Sequence, residues 1–174
     1  MELEILMQNL KNGDIDALKG IYTIMNKSVY LLAYSILGSE KAKDILQETF
    51  IKVAQNIKSY KANNASAWIC KIARNLSYTE YTKSKRTVSI EVFEENLFDK
   101  NNNENLWIEN ILLRDAILTL DILEREAVIL FALDKYKHRE IAKILDKPVG
   151  TVKWLYSRAI KKLKKYMEEK NNDN

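Results

Sequence analysis

The sequence predicts an all-α protein made of two small helical bundles. Its 174 residues include four glycines and one proline, far fewer turn residues than a β-sandwich or barrel requires. Hydrophobic residues make up 47% of the chain and recur at helical spacing. The net charge is +4, yet residues 135–170 alone carry a net charge of +8. We therefore expect helical bundles, with the positive charge concentrated at the C-terminal end; a charge run of this kind is by itself more often a solvated helix face.

The rarest residue types exclude several classes of protein. Cys70 is the single cysteine, so an internal disulfide and a cysteine-cluster zinc site are excluded, and its apolar neighbours indicate a small packing residue. His138 is the single histidine, and no nucleophile–base pattern or phosphate-binding glycine loop accompanies it. We expect no enzyme, no metal site and no cofactor. The acidic N-terminus and the absence of a long apolar run predict a cytoplasmic protein without membrane insertion.

Apolar periodicity predicts four helices in the first 86 residues. They are expected over residues 3–10, from Asp14 or Asp16 to Gly38, from Ser39 to about Ile57, and from about Ala67 onward. In the third helix, Leu46, Phe50, Val53 and Ile57 form a core stripe. Asp44, Gln47 and Glu48 lie beside it at spacings i, i+3 and i+4, so they share one polar face. This face is either solvated or suited to a partner helix that bears arginine.

A polar break at residues 58–66 precedes the fourth helix and contains one aromatic residue, Tyr60. The helix carries Lys71, Arg74 and Asn75 away from the centre of its apolar stripe. Basic and amide side chains beside an aromatic-bearing loop are typical of surfaces that bind single-stranded nucleic acid. The pattern is also common on ordinary helix surfaces.

Residues 87–110 differ from both flanks, with six acidic residues against one lysine. Little apolar content accompanies this charge, which predicts an acidic flexible linker. Helical patterning resumes at Leu106 and continues to Leu120. A further helix is expected from about Glu124. Its residues that point into the core are expected to be Ala127, Val128, Phe131 and Ala132.

The C-terminal segment predicts a helix-turn-helix. A short helix over about residues 138–145 ends at Asp146, which tolerates the left-handed backbone of a tight turn. Pro148 suits the first turn of a second helix. Apolar residues at Val152, Leu155 and Ala159 define the inward side of that helix. Its other side carries polar residues, all of them basic except Ser157: Lys153, Ser157, Arg158, Lys161, Lys162 and Lys165. In this motif the second helix enters the major groove.

Several of these segments together resemble the small extracytoplasmic-function sigma factors of bacterial RNA polymerase. The segments that match in order and spacing are residues 11–14, 17–22, 44–50, 67–75 and 148–153. The resemblance covers roughly residues 11–86 and 111–167, and it implies a promoter-recognition subunit with no catalysis of its own. It divides the chain into a core-binding domain at 1–86, an acidic linker at 87–110 and a helix-turn-helix domain at 111–170.

The resemblance also implies roles for individual residues. Asp44, Gln47, Glu48 and Phe50 correspond to the surface for the clamp helices of the polymerase large subunit. The residues that correspond to contacts with the melted promoter strand are Tyr60, Asn63, Asn64, Lys71, Arg74 and Asn75. The residues that correspond to contacts with the upstream element are Lys147, Thr151, Lys153, Trp154, Ser157, Arg158, Lys161 and Lys162. The linker corresponds to the segment in the RNA exit channel. The implied partners are the core enzyme, through its clamp helices and flap, and promoter DNA; an anti-sigma factor is common in the family.

Two other interpretations stay open at this point. A stand-alone helix-turn-helix regulator would bind duplex DNA by itself and use residues 1–86 for sensing or dimerisation. A helical interaction module would explain the acidic linker and the Asp44–Glu48 cluster but not the basic helix that follows Pro148. The recognition helix also departs from the family pattern, because Leu155 occupies the position of a usual arginine.

Overall fold

The fold was determined as a computed structural model that describes residues 2–61, 64–87, 111–134 and 136–172. Within these ranges the chain forms eight α-helices, one 3-10 turn and no strand, which confirms the all-α prediction. The chain divides into two compact units, Met1–Lys100 and Asn101–Asn174. The predicted acidic linker lies outside the described residues except for Thr87, and Asn63 lies outside them as well.

The first unit is organised around its second helix. Its elements are α1 (Glu2–Lys11), α2 (Ala17–Leu37), α3 (Ser39–Asn56), a 3-10 turn (Ile57–Ser59) and α4 (Ala65–Thr87). Helix α2 packs against α1, α3 and α4, and every residue from Ser28 to Gly38 is buried. Gly38 joins α2 to α3 with φ of 81°, a left-handed conformation that glycine adopts without a steric penalty. Cys70 is buried in α4, as expected for a small packing residue.

The second unit contains the helix-turn-helix. Its elements are α5 (Ile111–Leu118), α6 (Ile122–Asp134), α7 (His138–Leu145) and α8 (Val149–Asn172). Helix α8 packs against α5, α6 and α7. Asp146 ends α7 with φ of 51°, and the Pro148 carbonyl accepts from the Val152 N–H at 3.1 Å to begin α8. The predicted bounds of the motif and its left-handed aspartate are therefore confirmed.

One face assignment in the second unit was wrong. Ala132 was expected to point inward from α6 but is exposed, whereas Ile129 and Leu130 are buried. The helix is apolar on most of its circumference, so periodicity alone did not fix its inward side. Its buried residues even include two glutamates, Glu124 and Glu126.

No helix of the described residues is long and apolar enough to cross a membrane. The same residues contain no cluster of three or more His, Cys, Asp or Glu side chains arranged to hold a metal ion.

Candidate nucleic-acid and protein interfaces

The outward face of α8 is the first candidate interface. Val152, Leu155 and Ala159 pack inward and are at most 4% exposed. The opposite face presents an exposed stripe with spacing i, i+4, i+7 and i+11, formed by Gly150, Trp154, Ser157 and Lys161. Two predicted contact residues, Lys147 and Lys153, are exposed beside the stripe, and Thr151 is half-buried.

Two half-buried residues predicted to contact the upstream element form ion pairs with carboxylates of the same unit. Arg158 donates through Nε to Glu124 and through a terminal nitrogen to Asp121. Lys162 donates from Nζ to Glu124 Oε2 at 2.8 Å and to Asp121 Oδ2 at 3.4 Å. We call these four residues the α6–α8 ion cluster. In this structure both cations are engaged within the protein, and their contact with the upstream element stays a prediction.

The ion cluster forms because α8 passes the start of α6. Asp121 precedes the first residue of α6, and its N–H donates to Glu124 Oε2 at 2.9 Å, which satisfies one of the unpaired N–H groups at that helix end. Positions 158 and 162 are one turn apart on α8, so both cations reach the same carboxylates. The sequence did not reveal this contact because 34 residues separate Arg158 from Glu124.

The ion cluster determines the charge state of Glu124. Its side chain is fully buried, which by itself would raise the pKa. Hydrogen bonds from Arg158, Lys162 and the Asp121 backbone outweigh burial, and the pKa is lowered from its usual 4.5. The same contacts raise the pKa of Lys162 and of Arg158. Glu124, Arg158 and Lys162 are therefore ionised at neutral pH.

Position 155 explains the departure from the family pattern. Leu155 is 4% exposed and belongs to the inward face of α8. An arginine at this position would have to extend out of the core, whereas leucine packs within it. The largest apolar side chain on the outward face of α8 is instead Trp154, which is 55% exposed.

The polar face of α3 is the second candidate interface. Asp44, Gln47 and Glu48 are all exposed, as their spacing predicts. Phe50 is only 5% exposed, and its ring centroid lies 4.9 Å from that of Tyr22. Phe50 therefore supports this surface from below and presents almost no area of its own.

Sequence reasoning missed the apolar part of this surface. Ile51 follows Gln47 and Glu48 by one turn and is 54% exposed, and Tyr22 of α2 is 42% exposed. Protein interfaces typically combine an apolar centre with a polar rim. The available signal was Ile51 itself, an apolar residue on the polar side of the helical pattern.

The placement of Tyr60 must also be corrected. This residue was expected on an exposed loop as a stacking surface, but it is 3% exposed. Its hydroxyl donates to Glu4 Oε2 at 2.6 Å, and its ring centroid lies 5.2 Å from that of Trp68. Glu4 Oε1 accepts from the Ala65 N–H at 2.7 Å, and Lys11 donates to the Tyr60 carbonyl at 2.6 Å. Helix α1 thus fixes both Tyr60 and the start of α4.

The remaining predicted contacts of the melted strand lie on or before α4. Asn64 has φ of 74°, and its Oδ1 accepts from the Ala67 N–H at 3.0 Å, so it caps α4. Arg74 lies over the Tyr78 ring at 4.6 Å from its centroid. Lys71 is half-buried and Asn75 is exposed.

Two family models match this chain. The model described as Sigma-70 region 2 matches residues 21–87, and the model described as Sigma-70, region 4 matches residues 110–163. The first match includes all of α3 and α4, and the second includes α7 and residues 149–163 of α8.

Similar proteins span nearly the whole chain. The ECF RNA polymerase sigma factor SigW of Bacillus subtilis is 28% identical over 97% of this chain and 98% of its own length. The ECF RNA polymerase sigma-E factor of Escherichia coli K12 is 28% identical over 86% of each chain.

Solved structures share the fold. CnrH, in complex with the cytosolic domain of CnrY, has a TM-score of 0.71 at 18% identity and matches 97% of this chain and 99% of its own. RpoE of Bartonella quintana, in complex with the anti-sigma factor NepR, has a TM-score of 0.71 at 22% identity and matches 88% of this chain and 98% of its own.

The first matched region contains α3, and the second contains the outward stripe of α8. The chain therefore belongs to the sigma-70 family as an extracytoplasmic-function (ECF) sigma factor, a promoter-specific transcription initiation factor that binds RNA polymerase core and promoter DNA.

Proposed function

We propose that the two units divide promoter recognition between them. In this proposal residues 1–86 bind the core enzyme and the melted promoter strand, residues 87–110 act as an acidic linker, and residues 111–170 read the upstream element. The observation that carries the proposal is the exposed stripe on α8, which presents Trp154, Ser157 and Lys161 on the second helix of a helix-turn-helix. The chain itself performs no catalysis in this scheme and works in the cytoplasm.

The contacts with the core enzyme are assigned to α3. Asp44, Gln47 and Glu48 supply hydrogen-bond acceptors for basic side chains of the clamp helices. Ile51 and Tyr22 add an apolar centre that excludes water and strengthens the surrounding polar contacts. Phe50 maintains the position of Tyr22 through their ring contact.

The contacts with the melted strand are assigned to the surface of α4 that carries Lys71, Arg74 and Asn75. Arg74 stacked on Tyr78 provides a planar cationic surface on which a base can lie. Tyr60 serves in this scheme as an anchor of the loop and not as a stacking surface.

An anti-sigma factor is proposed as an additional partner. Two proteins with this fold have been solved as complexes, namely RpoE with the anti-sigma factor NepR and CnrH with the cytosolic domain of CnrY. An inhibitor that covered Ile51 and Tyr22 would compete directly with the core enzyme.

Reconstitution with purified core enzyme tests the proposal. We expect run-off transcripts from a subset of genomic fragments only when both the chain and the core enzyme are present. Binding to the same duplex fragments should be weak for the chain alone and tight for the complex. Tight, sequence-specific binding by the chain alone, without transcripts, would favour the stand-alone regulator instead.

A further inference from the structure

Trp154 is an unusually exposed apolar residue for its place in the fold. It is 55% exposed, whereas the apolar residues Val152, Leu155 and Ala159 around it are buried. It occupies the second turn of α8, in the exposed stripe with Ser157 and Lys161. The N-terminal part of a recognition helix is the part that reaches base edges.

The indole ring is held in place by the α6–α8 ion cluster. The Arg158 guanidinium lies 4.4 Å from the centroid of the Trp154 ring. Arg158 in turn donates to Asp121 and to the fully buried Glu124. A cation that is fixed at two carboxylates and stacked on an aromatic ring restricts the rotamers of that ring. Trp154 is thereby ordered before any DNA binds.

The surroundings of Trp154 indicate what it meets. Lys147, Lys153 and Lys161 are exposed nearby and suit the phosphates on either side of a groove. A β-carbon placed at Gly150, one turn before Trp154, would contact nothing within 4 Å, so the helix surface preceding Trp154 is open there. In the major groove the base edges offer one apolar group, the C5 methyl of thymine. An indole face presents apolar surface and pairs with that methyl better than with a polar edge.

We infer that Trp154 is a specificity-determining residue that contacts the methyl group of a thymine in the upstream element. Arg158 is a positioning residue that orients Trp154 and does not itself read a base. This inference rests on the proposed function of α8 as the helix that reads upstream DNA.

Replacing single thymines by deoxyuridine tests the contact, because the exchange removes only the methyl group. The upstream element is first selected from a randomised duplex library with the reconstituted holoenzyme. Each of its thymines is then exchanged in turn, and holoenzyme affinity is measured for the wild type and for Trp154→Ser. We expect one exchange to weaken the wild type about three- to fivefold, the effect of burying one methyl group. Trp154→Ser should bind the two duplexes equally.

Lys153→Ala and Arg158→Lys complete the experiment. Lys153→Ala should weaken binding but keep the difference between thymine and deoxyuridine. Arg158→Lys preserves the charge and loses the planar stack, so the difference in affinity between the thymine and deoxyuridine duplexes should shrink. The thermal midpoint, measured in parallel, shows whether the second unit stays folded. The inference is overturned if no thymine exchange affects the wild type, or if Trp154→Ser still discriminates. If the library yields no upstream element at all, the proposed function of α8 fails together with the inference.

Discussion

The two helices that carry the candidate interfaces, α3 and α8, differ in how their charged residues are used. On α3 the predicted polar residues Asp44, Gln47 and Glu48 are all exposed. On α8 two of the predicted cations, Arg158 and Lys162, are engaged by carboxylates of another helix. The net charge of a helix therefore indicates a charged surface, but it does not show which groups pair with the individual charged side chains.

The cause of the difference is the start of α6. A helix N-terminus favours carboxylates, because the first N–H groups are unpaired and the helix dipole is positive there. Asp121 and Glu124 meet this need and at the same time attract the cations of α8. The ion cluster joins α8 to the start of α6, whereas Lys153 and Lys161 stay exposed on the outward side.

The largest effect is expected from reversing a charge on α3. Glu48→Lys places a cation against the basic side chains expected on the clamp helices, and we expect core binding to weaken by about 2–5 kcal/mol. A titration of core enzyme with the labelled chain measures the change. The matched control is Glu40→Lys, the same charge reversal about two turns earlier on α3. Equal losses for both variants would mean that α3 contributes only a general negative field.

A slightly smaller effect is expected from neutralising the buried carboxylate of the α6–α8 ion cluster. Glu124→Gln keeps the shape of the side chain but weakens its bonds to Arg158 and Lys162. We expect the unfolding free energy of the second unit to fall by about 2–4 kcal/mol at neutral pH. Thermal unfolding followed by circular dichroism measures the loss.

The pH dependence of the same variant tests the cause. Because the folded pKa of Glu124 is lowered, its stabilisation is fully present above the unfolded value of 4.5 and is lost as the pH falls through the folded pKa. The difference between wild type and Glu124→Gln should therefore shrink in acid. Glu168→Gln, at an exposed carboxylate, serves as the control and should change stability by less than about 1 kcal/mol. A difference that persists in acid would indicate a packing effect and not an ionic one.

The next effect is a loss of stability at Tyr60. Tyr60 is a buried aromatic residue, whereas Trp154 is an exposed one. Tyr60→Phe removes only the hydroxyl that donates to Glu4. We expect the unfolding free energy of the first unit to fall by about 1 kcal/mol, because one hydrogen bond to a carboxylate is lost. Urea unfolding measures this change.

If Tyr60 instead stacked on a base, the Tyr60→Phe variant would not lose stability. Phenylalanine stacks on a base as well as tyrosine does, so affinity for a single-stranded promoter oligonucleotide would be retained and stability would not change. Glu4→Gln should destabilise the first unit at least as much as Tyr60→Phe, because Glu4 also accepts from the Ala65 N–H. The two effects should not add fully, because both variants alter the bond between Tyr60 and Glu4.

These corrections follow a physical pattern. The helix-turn-helix was predictable from sequence because its signals are local: Asp146 adopts the left-handed turn and Pro148 precedes the first turn of α8. The contacts of Tyr60 and Arg158 were not predictable, since their partners lie 56 and 34 residues away along the chain. Periodicity identified the polar face of α3 but not Ile51, because burial of an apolar residue depends on which helices surround it.

The smallest effect compares two neighbouring lysines of α8. Lys161 is exposed on the outward stripe, whereas Lys162 donates to Glu124 and Asp121. Phosphate contacts release counterions, so each one steepens the salt dependence of binding by about 0.9 in a double-logarithmic plot. We expect Lys161→Ala to weaken holoenzyme binding to all upstream variants alike and to flatten the salt dependence by about that amount.

Lys162→Ala should leave the salt dependence unchanged and instead lower the thermal midpoint of the second unit, because it removes one cation of the α6–α8 ion cluster. Affinities on one promoter at a series of salt concentrations, with thermal unfolding of both variants, make the comparison. A flattened salt dependence for Lys162→Ala would show that Lys162 leaves the carboxylates when DNA binds. The whole basic side of α8 would then contact phosphates, and the ion cluster would be a resting arrangement of the free protein.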